Sequence, residues 1–473
     1  MIENIMKENK MEKSRFKNGI IYVFIANAIS LFIGLFTGFF LPKLLSIETY
    51  ANIKLFQLYI TYVGILHLGF ADGMYLRLGG KKIDELNNKE ILTEFKTFKL
   101  FQLIVNISAL VICIILKKEV LFFCALSILP INISSYIRNL FNAVGLFKKY
   151  SRYTNINTIF IFAVNIFLLL IIKTDNYKLY LTAYVIAYIA YWLFIEYENR
   201  KLFGVKKTKF EKKYLIEDIK SGFLLMIGNF CNVIFTSRDR LFVKNLLGTI
   251  KFAFYSFAVS VENLMTVFIT PISTVMYNYL CTHKEKKQIL NVKKYILIFA
   301  AAVIIVVFPV KFIVNTWITK YEESLSVLFL LFAAQYISIM IRCVHINLYK
   351  AEKKQNRYFF IMISIVIFSI ISNAIGYIIF KNMIAIAVAT LITNTLWFII
   401  GELDFKMYRL NIRDYIYIFV VMIVFLLCAC IPNAIIGFVT YFVSTLVLSI
   451  TLQKKVLYGA IKMAFNFVKN KIK

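Results

Sequence analysis

The chain has 473 residues, of which 60% are hydrophobic and 17% charged, and a formal net charge of +30. Its mean hydropathy of +0.74 is more than a soluble core can absorb, which excludes a soluble enzyme or binding module. The apolar residues fall in runs of about 20, not in short alternating segments, which excludes a β-barrel and leaves an all-α integral membrane protein.

The segment Met1 to Asn18 is polar and basic. The apolar run after it is too long for a signal-peptide core and lacks a small-residue cleavage site, so it reads as a first membrane helix. Length and apolarity predict about fourteen spanning helices. Their expected limits are Gly19–Leu41, Ile53–Gly73, Phe98–Leu116, Val120–Val144, Ile156–Ile172, Leu179–Ile195, Ser221–Leu247, Phe252–Tyr277, Tyr295–Thr316, Ser324–Ile346, Phe359–Phe380, Met383–Gly401, Tyr415–Cys430 and Ala434–Leu452. A tight Pro432-Asn433 turn separates the last two.

The basic residues alternate between loops. They cluster at the N-terminus, after the second, fourth, sixth, eighth, tenth and twelfth helices, and in the C-terminal tail, as Lys148-Lys149-Arg152 and Lys353-Lys354-Arg357 illustrate. That bias predicts a multi-pass protein of the plasma or inner membrane with both termini cytoplasmic. The positive charge is thereby accounted for by topology and anionic lipid headgroups, without nucleic acid. Cys113, Cys124, Cys231, Cys281, Cys343, Cys428 and Cys430 have no metal-ligand spacing and read as buried fillers.

The chain also repeats itself. Met74-Tyr75 meets Met276-Tyr277 at an offset of 276 − 74 = 202, Ile137-Arg138 meets Ile341-Arg342 at 342 − 138 = 204, and Lys148-Lys149 meets Lys353-Lys354 at 353 − 148 = 205. Trp192 meets Trp397 at 397 − 192 = 205, in a chain with 3 tryptophans. The ordered matches predict two six-helix lobes, residues 1–214 and 215–404, followed by two extra helices and a basic tail, 405–473. An even helix number makes the copies parallel, a transporter plan that places substrate in a central cavity between the halves. A duplicated fold kept for stability alone is the other reading.

Charges at membrane depth are costly and face a bundle interior or a wet cavity. Arg138 lies ten residues before Lys148, about 15 Å deep at 1.5 Å per residue, and Arg342 occupies the matching place in the second half. They either form a cationic patch for an anionic headgroup or bond backbone carbonyls. Arg238, Asp239 and Arg240 follow one another at 100° steps, so at most two can face one cavity. Glu262 lies at comparable depth and could pair with Arg238 or Arg240, although an arginine here could equally snorkel to the interface. Asp239 and Glu262 are the candidates for ion coupling, by a proton or sodium gradient. Asn27, Lys54 and His67 are weaker cavity candidates. Gly34 and Gly38 form a G-x-x-x-G that marks close helix packing, and Pro130 and Pro271 fall inside helices.

No Walker A loop, nucleophile constellation or paired loop carboxylates occur in the sequence, so neither ATP-driven transport nor an enzyme is expected. No metal site or other cofactor is expected.

The stretches LPKLLSIETY (Leu41–Tyr50), GFADGMYLRLGG (Gly69–Gly80), Asp239-Arg240 and AFYSFA (Ala253–Ala258) resemble the Wzx-type oligosaccharide flippases, the polysaccharide-biosynthesis branch of the superfamily that also holds multidrug exporters and lipid II flippases. The resemblance covers nearly the whole chain. It implies two six-helix lobes around a V-shaped cavity, two further helices, alternating access, and a substrate of O-antigen or capsule sugars on a polyprenyl pyrophosphate. A polysaccharide polymerase complex is the candidate protein partner. The excess of intramembrane arginine suits a pyrophosphate, whereas Asp239 and Glu262 keep a cation-coupled multidrug exporter in play. A non-transporting scaffold of a polysaccharide assembly is the third reading.

Overall fold

The computed structural model describes residues 31–459 and 462. Those residues are mostly helical and contain no strand. The helices are α1 (Leu31–Leu44), α2 (Ile47–His67 and Phe70–Leu78, bent by 62°), α3 (Asn88–Leu116), α4 (Glu119–Ala143), α5 (Phe147–Ile172), α6 (Tyr177–Phe203), α7 (Lys212–Leu264), α8 (Thr266–Thr282), α9 (Lys286–Thr316), α10 (Ser324–Ala351), α11 (Gln355–Phe380), α12 (Met383–Asp404), α13 (Ile412–Ala429) and α14 (Ala434–Leu452). Eleven are long and apolar enough to cross a membrane, or twelve if the bent α2 counts as one span. The expected count was fourteen. The seventh and part of the eighth expected helices run together in α7, interrupted by Gly248 alone at φ 86°, and positions 19–30 of the first lie outside the described residues.

Several helices begin earlier than apolarity predicts. α3 starts at Asn88 and α9 at Lys286, ten or so residues before the apolar stretch. Long basic side chains carry these first turns out of the hydrocarbon. Asparagine side chains fix other starts: Asn87, Asn176, Asn382 and Asn433 each accept a backbone N–H of the first turn of α3, α6, α12 and α14. Each replaces a hydrogen bond that water would otherwise supply.

The chain divides into two compact units, residues 1–234 and 235–473, with the division inside α7. Within the first unit Phe70, Phe98 and Tyr136 stack at the centre, Phe98 and Tyr136 with ring centroids 4.8 Å apart. α4 is its most enclosed span, whereas α3 turns Ile104, Ile107, Ile112 and Ile115 outward. Within the second unit α10 is 83% buried over its apolar window, and Phe308, Phe329, Phe425 and Tyr441 join α9, α10, α13 and α14. Lys311 on α9 donates to the carbonyls of Ala429 (2.9 Å) and Ile431 (2.6 Å), completing the C-terminal end of α13.

Some local features recur at offsets close to those of the sequence matches. The α1–α2 break at Ser46 and the Gly248 break differ by 248 − 46 = 202 residues, and the caps Asn176 and Asn382 by 382 − 176 = 206. In each unit a lysine of the third helix meets a glutamate of the sixth. Lys99 bonds Glu196 at 2.9 Å in the first, and Lys293 bonds Glu402 at 2.5 Å in the second.

Close packing by glycine occurs elsewhere than expected. A Cβ on Gly38 would meet nothing within 4 Å. A Cβ on Gly222 of α7 would overlap the Gly69 carbonyl oxygen and the Gly73 amide nitrogen of α2, and one on Gly73 would overlap the backbone of Asp218. Gly69 also sits at φ 87° where α2 bends, so no side chain is tolerated there. Among the cysteines, Cys281 and Cys430 are exposed, because they lie at helix ends; the other five are buried or half-buried.

Two outcomes follow. Gly222→Leu should abolish the monodisperse peak of detergent-extracted protein in gel filtration, while Gly38→Ala should leave it intact. Glu402→Leu strands Lys293, whose Nζ also bonds the Tyr408 carbonyl at 2.7 Å, in a site where both partners are almost fully enclosed. Breaking such a pair costs about 3–5 kcal/mol, readable as a fall in thermal unfolding temperature in detergent.

Candidate functional site

In the second unit the charged triplet of α7 splits by direction. Asp239 faces α11 and α12, where it accepts from Asn373 Nδ2 (2.7 Å) and Thr390 Oγ1 (2.6 Å). Arg238 turns back onto its own helix. It donates to the Phe235 carbonyl, lies over the Phe235 ring at 4.2 Å and pairs through Nε with Asp239 at 3.4 Å. Arg240 is half-buried and belongs to the charge field around Glu262. One residue per 100° explains why three neighbours do three different things.

Glu262 forms no ion pair among the described residues; Arg238 pairs with Asp239 instead. The charges acting on Glu262 are those of Asp239, Arg342, Arg240 and Arg238. Arg342 comes from α10, within a π-helical turn spanning Ile341–His345. Its own carbonyl is held by Ser273 Oγ (2.9 Å) and Asn347 Nδ2 (3.3 Å), so the backbone there is pinned. The half-buried guanidinium of Arg342 bonds no side chain or carbonyl among the described residues. A widened helical turn of this kind re-aims a side chain and often marks a functional position. Asp239, Glu262, Arg238 and Arg240 on α7 and Arg342 on α10 thus share one charge field, with Asn373 of α11 and Thr390 of α12 bonded to Asp239. Asn373 is buried, and its Oδ1 receives no donor.

In the first unit Arg138 of α4 donates to Ser135 Oγ (2.9 Å) and Tyr191 Oη (3.3 Å) and lies over the Tyr191 ring. Two of its five N–H groups are engaged there, and no carboxylate pairs with it among the described residues. Lys54 is buried with its ammonium 5.3 Å from the Tyr50 ring centroid. His67 sits at the α2 bend, accepting the Gly69 N–H at Nδ1 (3.1 Å) with Nε2 3.8 Å from Asp72. Asn27 lies outside the described residues.

Two clusters escaped sequence reasoning. Arg77 on α2 bridges Glu94 on α3 and Asp218 on α7, with Tyr136 donating to Glu94 at 2.8 Å. In the second unit Glu402 gathers Lys293, His345 Nε2 (2.9 Å), Tyr415 Oη (2.8 Å) and the Leu410 N–H (3.0 Å). A Cβ on Gly401 would strike the His345 ring, so that glycine makes room for the imidazole. The available signal was the acidic minority: 25 Asp and Glu stand against 55 Lys and Arg, and Glu94, Asp218 and Glu402 each pair with a base. No group of three or more His, Cys, Asp or Glu suited to a metal ion occurs among the described residues.

Three comparisons bear on this arrangement. Residues 103–282 match the Polysacc_synt family model, described as polysaccharide biosynthesis protein. No curated protein matches. Among solved structures, a lipid II flippase MurJ in an inward closed conformation aligns with TM-score 0.72 at 14% identity, covering 93% of this chain and 99% of the flippase. A multidrug resistance MATE family transporter of the MOP superfamily, inward-facing, aligns with TM-score 0.56 at 11% identity over 81% of this chain and 95% of its own. An outward-facing one gives 0.51 at 11% identity, over 82% and 93%. The chain is a multi-pass helical membrane protein with the fold of these flippases and transporters, and its residues 103–282 carry the signature of the polysaccharide biosynthesis family.

Proposed function

We propose that the protein is a flippase that carries polyprenyl-pyrophosphate-linked oligosaccharide across the plasma membrane, by alternating access, for cell-surface polysaccharide synthesis. The observation that carries this reading is Arg342, whose guanidinium is uncommitted on the most enclosed helix of its unit. An arginine held there without a hydrogen-bonded partner is expensive unless a ligand supplies one. A pyrophosphate offers the planar, bidentate oxygens that a guanidinium binds best. Arg138, with donors to spare, is the corresponding group of the first unit. Arg238 and Arg240 serve the headgroup later in the cycle. The family match over residues 103–282 supports polysaccharide synthesis as the setting, with the polymerase as downstream partner.

Coupling to an ion gradient falls to Asp239. Its carboxylate, the Thr390 hydroxyl and the donor-free Asn373 Oδ1 supply oxygens of the kind that hold a proton or a sodium ion. The same carboxylates, Asp239 and Glu262, favour the second reading, a cation-coupled multidrug exporter. That reading also draws on the fold shared with a MATE family transporter. The lysine distribution supports cytoplasmic N- and C-termini.

The test is a deletion strain complemented by variants. Loss of surface polymer with lipid-linked repeat units accumulating supports flipping; intact polymer with lost drug resistance supports the exporter. Arg342→Ala should lower flipping roughly ten- to hundredfold, the equivalent of charge-assisted hydrogen bonds lost, at unchanged protein level. Arg342→Lys should fall between, since an ammonium cannot bind bidentately. Asp239→Asn should leave the protein folded but make flipping in proteoliposomes indifferent to imposed proton and sodium gradients. Retained gradient dependence in that variant removes Asp239 from coupling.

A further inference from the structure

The first unit buries two carboxylates against one guanidinium. Arg77 Nε donates to Asp218 Oδ1 at 3.2 Å, and Arg77 Nη2 donates to Glu94 Oε2. Tyr136 donates to Glu94 Oε1 at 2.8 Å. Both carboxylates are almost wholly enclosed, Glu94 at 0% and Asp218 at 1% exposure. Both oxygens of Glu94 are therefore occupied, as is Oδ1 of Asp218. Oδ2 of Asp218 is buried and receives no donor. Glu94 and Asp218 accept from neighbouring nitrogens, Nη2 and Nε, of the one Arg77 guanidinium, which brings their carboxyls to the same place.

The surroundings do not balance the charge. Arg77 is the one cation paired with either carboxylate among the described residues. Glu217 on α7 acts on Asp218, and Tyr214 on α7, over whose ring the Arg77 guanidinium lies at 5.8 Å, stands with Glu90 of α3 and Glu211 around it. Tyr136 of α4 is neutral and already donating. Two facing carboxylates that share one guanidinium in an enclosed site retain a full negative charge, and such a pair ordinarily keeps one proton between them. The orphaned Oδ2 is where that proton's hydrogen bond belongs.

We propose that Glu94 and Asp218 form a proton-binding site in the first unit, one proton bridging the two carboxyls while Arg77 neutralises the remaining charge. The step is simple: a proton from water joins a carboxylate oxygen, and the O–H so formed donates to the facing carboxyl. The occupied site fastens the start of α7 to α2, α3 and α4, directly beside the glycine contact of Gly69, Gly73 and Gly222. It is separate from Asp239 and does not depend on the flippase reading.

Infrared spectroscopy of the purified full-length protein in detergent at neutral pH tests it, reading the carbonyl stretch of protonated carboxyl groups. One such band should vanish in Glu94→Gln and in Asp218→Asn, each of which replaces the shared proton by an amide N–H. Tyr136→Phe keeps the ring packing but removes a donor to Glu94, and should move the band. Absence of any protonated-carboxyl band in the wild type overturns the proposal. So does a band unchanged in whichever of the carboxyl variants folds. If neither folds, a band that Tyr136→Phe leaves in place overturns it equally, and a shifted band sustains it.

Discussion

A charge inside a helical membrane bundle has no water to fall back on, and the internal architecture of both units follows from that constraint. Glu402 is the clearest instance. Its two oxygens take a lysine, a histidine, a tyrosine and a backbone N–H from three other helices and a connecting turn. Each donor must arrive from a particular direction, so the carboxylate fixes the relative placement of α9, α10, α12 and α13 more sharply than Leu-to-Ile contacts could. Apolar packing confers little orientation in lipid, because tails are as apolar as side chains. Lys99 and Glu196 perform the corresponding task for α3 and α6.

Against that background the uncommitted groups stand out. Arg342 is held by its backbone and left open at its side chain, and Asn373 offers a carbonyl oxygen with no donor beside Asp239. Both belong to the second unit, where Arg342, Arg238, Arg240 and Asp239 act together on Glu262.

The spanning helices were legible in the sequence because they rest on hydropathy and length. What one-dimensional reasoning missed was pairing. Arg77, Glu94 and Asp218 are separated by up to 141 positions, so no local spacing joins them. Lys293 lies in the basic stretch after the eighth expected helix, yet its ammonium is fully enclosed. The G-x-x-x-G reasoning was sound physics applied to Gly34 and Gly38, when Gly69-x-x-x-Gly73 carried the contact. Nothing in either spacing distinguishes them, since the deciding partner is Gly222, far along the chain. The direction of Asp239 likewise needed α11 and α12 in place.

α7 is helical without interruption from Lys212 to the break at Gly248. Near its beginning Gly222 lies against the backbone of α2 with no side chain between them. A helix seated that closely cannot turn about its axis without lifting off its neighbour. Asp218, four residues earlier on the same face, is thereby kept aimed at Arg77.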